Sequence, residues 1–165
     1  MRKRSFPPVV DQRTRLLILG SLPGEQSLAA GRYYANPRNQ FWALVGDAIG
    51  VDLPALDYDA RLRTLLDHKI GLWDSVGEAA RVGSLDSRIR DHAPNDLATL
   101  AADLPSLRAI AFNGGKSAAI GTKALAGLSE NIALVTLPSS SPAHAVPLSN
   151  KALEWRRIRQ FLEII

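Results

Sequence analysis

Four short apolar runs, separated by segments of a different kind, constrain the fold of this chain most strongly. The runs cover residues 16–19, 70–73, 108–112 and 132–137, and each has the length of a buried strand. Five other segments are predicted to form helices: 40–49, 59–68, 96–104, 116–126 and 149–165. Because strands and helices alternate, we predict an α/β fold of three α/β/α layers around a short, mainly parallel, four-stranded central sheet.

Length and composition favour a single domain. The 165 residues, 46% of them hydrophobic, suffice for one core, so we expect one domain over 1–165 with a flexible basic arm at 1–12. The chain has no cysteine, which excludes disulfides, thiolate catalysis and an iron–sulfur cluster held by thiolates. Its three histidines are not paired at helical spacing, so we predict no metal and no cofactor.

The hydropathy pattern indicates no membrane segment. Every apolar run is far too short to span a bilayer, and the first residues lack the apolar core of a signal peptide. We therefore expect a cytoplasmic monomer that does not associate with membranes.

The charge of the chain is unevenly distributed. The formal net charge is +4, but residues 1–15 carry five basic and one acidic side chain, residues 47–103 carry six and eleven, and residues 104–165 carry seven and three. This asymmetry suits a polyanionic partner bound through the two ends of the chain, although a solvated basic tail without a partner is equally common.

Polar or glycine-rich segments follow all four predicted strands. They are GSLPG at 20–24, DSV at 74–76, NGGK at 113–116 and PSSSPAH at 138–144. Since ligands of open α/β sheets collect at the carboxyl ends of the strands, we expect a site there, although turn formation alone would explain any one of these segments. No dinucleotide fingerprint or P-loop is present.

The segment YYANPRNQFW at 33–42 combines aromatic, amide and basic side chains. An aromatic ring with amides beside it can stack on a nucleic-acid base and hydrogen-bond to its edge. Two structural alternatives stay open: Phe41 and Trp42 belong to the core, and Asn39 is the N-cap of the following helix.

The order GSLPG, YYANPRNQFW, GLWDSV, FNGGK and LPSSSPAH resembles the uracil-DNA glycosylase superfamily, and most closely its hypoxanthine-DNA (deoxyinosine) glycosylase branch. The mismatch-specific uracil glycosylases have related motifs. The resemblance extends from about Leu16 to the terminal helix. It implies a monofunctional DNA glycosylase of base excision repair that hydrolyses the N-glycosidic bond of a deaminated base in double-stranded DNA. Hypoxanthine is the expected base, with uracil and xanthine as alternatives.

The resemblance also assigns roles to individual positions. It implies catalytic roles for Asn39 and Asp74, the latter where relatives place an amide that recognises the base edge. An aspartate there can instead accept from a purine N–H or orient water. The implied base pocket consists of Gly20, Ser21, Leu22, Pro23, Gly24, Tyr34 and Asn113. The predicted DNA contacts are Arg38, Lys116, Lys123, Pro138, Ser139, Ser140, Ser141, Pro142 and His144.

Two departures from the family pattern stand out. Leu22 occupies the position where relatives carry a polar side chain against the attacking water, and a leucine cannot activate water. Leu137 stands where relatives often have histidine, so His144 is not the equivalent of that histidine. A single Asn donor remains credible as a catalytic group, because losing one such donor costs about 3–4 kcal/mol of barrier.

Two other functions are compatible with the residues. A non-catalytic nucleic-acid-binding or nucleotide-binding module of the same fold would explain Leu22. A serine hydrolase would need Ser21, or a serine of 139–141, to meet His144 and Asp74, but the chain has no G-x-S-x-G motif.

Overall fold

The computed structural model describes residues 2–128 and 130–162. The strands are β1 Arg2–Arg4, β2 Leu16–Gly20, β3 Ile70–Asp74, β4 Val76–Ala80, β5 Arg90–Pro94, β6 Ala109–Asn113 and β7 Ala133–Leu137. The helices are α1 Glu25–Ala30, α2 Phe41–Ile49, α3 Tyr58–Asp67, α4 Leu97–Ala102, α5 Gly115–Ala124, α6 Leu148–Trp155 and α7 Arg159–Leu162. Short 3-10 turns lie at Leu53–Ala55, Asp86–Arg88 and Arg156–Ile158.

The central sheet contains the four predicted strands, all parallel, in the order β3-β2-β6-β7. All five residues of β2 are buried, as expected for a strand that is covered on both faces. β2 pairs with β3 and with β6, so the loops that follow these three strands lie side by side at one edge. The predicted α/β fold with a parallel four-stranded sheet is confirmed.

Two apolar clusters cover the two faces of this sheet. On one face Leu16 and Ile18 of β2 pack with Phe41 and Leu44 of α2 and with Trp155 of α6. On the other face the alternate β2 residues Leu17 and Leu19 pack with residues of α4 and with Phe112. The period-two alternation along β2 therefore produces the three layers.

A second, antiparallel sheet of order β1-β4-β5 was not predicted. It corrects the expectation of a flexible arm at 1–12, because Arg2–Arg4 pairs with β4 and Val9 forms a bridge with Leu72 of β3. The strand β5 could not be recognised from its sequence, RDHAP, because all five residues are exposed and carry no apolar alternation.

Helix α1 lies between Gly24 and Gly31, outside the five segments that the sequence predicts as helices. Gly31 ends this helix with φ 66°, a left-handed conformation that favours glycine. At the C-terminus the predicted helix 149–165 is divided by the turn Arg156–Ile158, and its last three residues lie outside the described part. The apolar side chain of Leu153 in α6 is 65% exposed.

Among the described residues, no helix combines the length and the apolar character that crossing a membrane would require.

Candidate active site

A cleft of about 630 Å³ lies at the carboxyl edge of the central sheet. Its wall combines residues 20–24 after β2, Asp74 at the end of β3, residues 113–116 after β6 and residues 139–144 after β7. Residues 84–87, between β4 and β5, form a further side. The cleft therefore lies at the sheet edge that the sequence indicated, although residues 84–87 and residues 25–27 of α1, which also line it, were not predicted.

Gly20 is required where the loop after β2 crosses the cleft. A Cβ at this position would lie 2.6 Å from Oδ1 of Asp74 and 2.8 Å from the hydroxyl of Tyr34, both closer than real Cβ contacts allow. The absence of a side chain at Gly20 thus lets the aspartate and the tyrosine approach the backbone from the cleft side.

The remaining residues of this loop are fixed by apolar packing and by hydrogen bonds. Leu22 is buried in a small apolar cluster with Val76 and Ile120, so it contributes packing. The buried guanidinium of Arg81 donates to the carbonyl of Leu22 at 3.3 Å and to the carbonyl of Pro23. Burial lowers the pKa of Arg81. These contacts fix the loop, and residues 20–24 line the cleft.

Asp74 is the most unusual residue in the cleft. It is 3% exposed, and its Oδ2 has no hydrogen-bond partner among the described residues. Burial, followed by the nearby charge of Asp86, raises the pKa of Asp74 to about 7, while Arg81 acts in the opposite direction. Near neutral pH the carboxyl is therefore poised between a form that can donate a hydrogen bond and one that only accepts.

Asn39 is held by its carbonyl oxygen. The amide N–H of Phe41 donates to Oδ1 at 3.0 Å and the hydroxyl of Ser140 donates to it at 2.7 Å. Because a backbone N–H can only donate, the acceptor end of the side-chain amide is fixed, and Nδ2 is the other end. Nδ2 has no hydrogen-bond partner among residues 2–128 and 130–162, so Asn39 offers a donor at the cleft. The alternative that Asn39 is the N-cap of α2 is wrong, because Gln40 occupies that position; Asn39 precedes it and accepts from the first helical N–H, that of Phe41.

A chain of hydrogen bonds fixes the orientation of this group. The amide of Ser140 donates to Oδ1 of Asn113 at 2.8 Å, so Nδ2 of Asn113 is the donor to the Ser140 hydroxyl at 2.8 Å and to the Tyr34 hydroxyl at 3.3 Å. The Ser140 hydroxyl accepts from Asn113 and donates its own hydrogen bond to Oδ1 of Asn39. Asn113 therefore orients the site and links three loops.

Tyr34 lies between the two candidate catalytic residues. One ring face is stacked on Phe41, with centroids 3.9 Å apart and planes at 7°. Its φ is 53°, which is rare for a residue with a side chain. Burial, the charge of Asp74 and the nearby Asp86 raise the pKa of the Tyr34 phenol, whereas the hydrogen bond from Asn113 lowers it, so the hydroxyl stays neutral. A flipped base can use only the ring face that Phe41 leaves free.

The loop 138–144 is anchored at its base and exposed at its tip. The indole of Trp155 donates to the carbonyl of Pro138 at 2.8 Å, and the buried ammonium of Lys151 donates to the carbonyl of Ser141 at 3.2 Å. Pro142 and His144 are exposed at the rim of the cleft. This arrangement presents the loop tip to a large ligand.

The structure brings most predicted site residues together but not all. Every predicted pocket residue lines the cleft, as do Lys116, Ser139, Ser140, Ser141, Pro142 and His144. Arg38 is exposed outside the cleft lining, and Pro138 serves as an acceptor for Trp155. Lys123 is exposed farther along α5.

A serine-hydrolase triad is not assembled. The hydroxyl of Ser21 donates to Asp86 at 2.5 Å, and that of Ser140 donates to Asn39. In the described part of the chain, no serine side chain bonds the imidazole of His144. This alternative is therefore wrong, because the serines are engaged with acidic and amide partners instead of a histidine.

Sequence reasoning missed Asp86 and Arg81. Both belong to the connection between β4 and β5, where Gly83 has φ 75° and allows a tight reversal. The pair Gly83-Ser84 was the available turn signal, but nothing in the sequence shows that this turn reaches the loop after β2.

The chain is an α/β protein with a polar cleft at the carboxyl edge of a parallel sheet. A family model described as the uracil DNA glycosylase superfamily matches residues 7–163. The chain therefore belongs to the uracil DNA glycosylase superfamily, as its motifs indicated.

Individual relatives sharpen this assignment. Two curated proteins are named hypoxanthine DNA glycosylase. The one from Methanosarcina acetivorans is 43% identical over 96% of this chain and 98% of its own length; the one from Methanosarcina barkeri is 45% identical over 71% of this chain and 74% of its own length. A solution NMR structure from Methanosarcina acetivorans, assigned provisionally as a uracil DNA glycosylase, superposes with a TM-score of 0.88 at 43% identity, covering 99% of this chain and all of the other.

Proposed function

We propose that this chain removes a deaminated base from double-stranded DNA, with hypoxanthine as the principal substrate. The chain is a DNA glycosylase, an enzyme that hydrolyses the bond between a base and its deoxyribose, as its family and its relatives indicate. Hypoxanthine is favoured because two relatives that are 43% and 45% identical to this chain are named for that base. Uracil and xanthine remain the alternative substrates.

One observation carries the proposal: a buried carboxyl of Asp74 with an unpartnered oxygen at the bottom of a cleft. A buried polar atom without a partner destabilises the folded chain by about 1–3 kcal/mol, so it calls for a functional explanation. A flipped base that enters the cleft would supply the missing partner. This cost also argues against a binding module that has lost its chemistry, since such a module gains nothing from retaining the group.

The chemistry of base release fits the groups at the cleft. A deaminated base carries an oxo group that can spread negative charge, so donors aimed at the departing base lower the barrier. The free Nδ2 of Asn39 and the neutral form of Asp74 are two such donors. The base must first leave the stack, at a cost of a few kcal/mol that is smaller for a mispaired base.

The rest of the cleft suits a duplex. We expect Lys116 at the first turn of α5 and the hydroxyls of Ser139 and Ser141 to contact phosphates, and Pro142 and His144 at the exposed rim to meet the duplex. The arrangement of one domain over 1–165, a monomeric state and a cytoplasmic location stay predictions.

The test is incubation with duplexes that carry hypoxanthine, uracil or xanthine, followed by alkaline cleavage at abasic sites. We expect scission after alkali, fastest with hypoxanthine, and almost none before alkali, because a monofunctional enzyme leaves the abasic strand intact. Borohydride should trap no covalent complex. The matched control is Asn39→Ala on the same duplexes. If enzyme in excess cleaves none of the three, the proposed function is wrong.

A further inference from the structure

The loop after β2 lacks a side chain that can take a proton from water. Leu22 stands where a polar residue is expected, and its side chain is buried among Val76 and Ile120. The hydroxyl of Ser21 next to it is already committed as a donor. Hydrolysis nevertheless needs a group that aligns the attacking water and accepts its proton.

Asp86, which belongs to a different element, brings a carboxylate next to the loop after β2. It begins the 3-10 turn Asp86–Arg88 between β4 and β5, is half-buried, and lines the cleft. Its Oδ1 accepts from the Ser21 hydroxyl at 2.5 Å, beside the backbone of Leu22. Within the described residues no donor bonds its Oδ2, which leaves one oxygen for a water molecule.

Asp74 and Asp86 flank the same turn of backbone, and Glu25 also lines the cleft. Asp74 lies against Gly20 and Asp86 against Ser21. The charge of Asp86 adds to burial in raising the pKa of Asp74. Asp74 is the better buried and has no donor to its Oδ2, so of the two it is the better candidate to hold a proton.

The groups facing Asp86 favour its charged form. Ser21 donates to it, and Arg81 and Lys116 are the nearby cations. These three oppose the effect of burial, which is larger, so the pKa of Asp86 is raised overall. A fully buried carboxyl and a half-buried one that accepts from Ser21 therefore stand on either side of the loop after β2.

We propose that Asp86 is a further catalytic residue, whose carboxylate holds the attacking water and accepts its proton. This rests on the proposed glycosylase function. The water oxygen forms a bond to C1′ of the deoxyribose while the bond from C1′ to the base nitrogen breaks and its electron pair leaves with the base. Asp86 gains a proton from the water, and the departing base takes one from Asp74 or from solvent. The products are the free base and an abasic deoxyribose.

Single-turnover excision of hypoxanthine from a duplex tests this role with Asp86→Asn, Asp86→Ala and the control Asp91→Asn. Asp91 is exposed on β5 and its change removes the same charge. We expect the Asp86 variants to be slower by about 100-fold or more, since a positioned base contributes that much. The control should keep the wild-type rate. Affinity for a duplex with an abasic site should change less than twofold in all three.

Two further measurements separate proton transfer from mere support of the loop. Added formate should partly restore Asp86→Ala but not Asn39→Ala, and the rise of rate with pH at the acidic end should disappear in Asp86→Asn. Excision by Asp86→Asn within threefold of wild type overturns the role. So does a slow variant that shows an unchanged pH profile and no rescue by formate. If the wild type excises no deaminated base, the glycosylase proposal itself fails.

Discussion

At the scale of single residues, Asn39 performs two tasks that can be separated. Its Oδ1 accepts from the amide of Phe41 and from the hydroxyl of Ser140, while its Nδ2 is the free donor. Asn39→Asp keeps the acceptor and removes the donor, whereas Asn39→Ala removes both. We expect both variants to lose about 100- to 1000-fold in single-turnover excision. Only Asn39→Ala should also lose about 1 kcal/mol in the free energy of unfolding, because it alone removes the acceptor of the Phe41 amide and the Ser140 hydroxyl.

Rate measurements and urea denaturation on the two variants check this separation. If Asn39→Asp excises hypoxanthine within twofold of the wild-type rate, the amide is not the donor. Equal losses of stability in the two variants would show that the carboxylate does not replace the amide oxygen as acceptor.

Asp74 gives a pH-dependent prediction about stability. Its folded pKa is about 7, above the unfolded value near 4, so the folded state binds the proton more tightly. Stability is therefore greatest below pH 4 with respect to this group and falls as pH rises to 7. The penalty above pH 7 is on the order of 4 kcal/mol as an upper bound.

Asp74→Asn removes this ionisation and keeps the size of the side chain. We expect the variant to melt at a higher temperature than wild type at pH 8, with a much smaller difference at pH 4, and to excise hypoxanthine more slowly. Its rate should also lose the decline above pH 7 that a required neutral Asp74 imposes. Thermal melts at both pH values decide the point, and equal stability differences at pH 4 and pH 8 would contradict it.

At the scale of elements, the sequence predicted the strands and loops that have a local residue pattern. It missed the features that depend on contacts between residues far apart in the chain. The apolar runs located all four strands of the central sheet, and the polar segments after them located the cleft. The strand β5 could not be predicted because its residues are exposed and it pairs with β4 alone among the described strands. Asp86 was missed for a related reason. Its role depends on a contact with Ser21, 65 positions away, which no local pattern encodes.

The loop 138–144 depends on α6 for its position. Lys151 is buried and donates to Gln40 at 2.9 Å and to the carbonyl of Ser141. Lys151→Met removes the donor to both acceptors, and of the two only the Ser141 carbonyl keeps another donor, the amide of His144 at 3.1 Å, so we expect the free energy of unfolding to fall by about 1–3 kcal/mol. Duplex affinity should weaken about fivefold, because ordering a loosened side chain costs about 1 kcal/mol on binding.

Arg63→Met is the matched control for this variant, since it removes one positive charge from the exposed side of α3. Fluorescence anisotropy with a hypoxanthine duplex measures the affinity of both variants. The same loss of affinity in Arg63→Met would attribute the effect to net charge and contradict a positioning role for Lys151.

At the scale of the whole molecule, the uneven charge acquires a structural meaning. The acidic section 47–103 contains Asp74 and Asp86 of the cleft, whereas the basic segment 1–15 begins with a strand of the second sheet. That strand pairs with β4, and the ammonium of Lys3 donates to the carbonyl of Gly83 at 2.8 Å. The N-terminal segment thus supports the turn that carries Asp86, instead of extending into solvent.

Removing residues 1–4 tests this support against a purely electrostatic role. Without the pairing to β4 and the contact of Lys3 with Gly83, the turn bearing Asp86 should move, and excision should slow about tenfold, equivalent to about 1.4 kcal/mol in the barrier. The double variant Arg2→Ser/Arg4→Ser keeps the strand and removes two charges, so it should retain most of the rate. A flexible basic arm would behave differently. The deletion, which removes three basic side chains, and the double variant, which removes two, would then both weaken duplex binding in proportion to the charge lost, and both effects would vanish at high salt. Single-turnover rates of the two proteins at low and high salt distinguish the cases, and a truncated protein with the wild-type rate would show that β1 does not support the site.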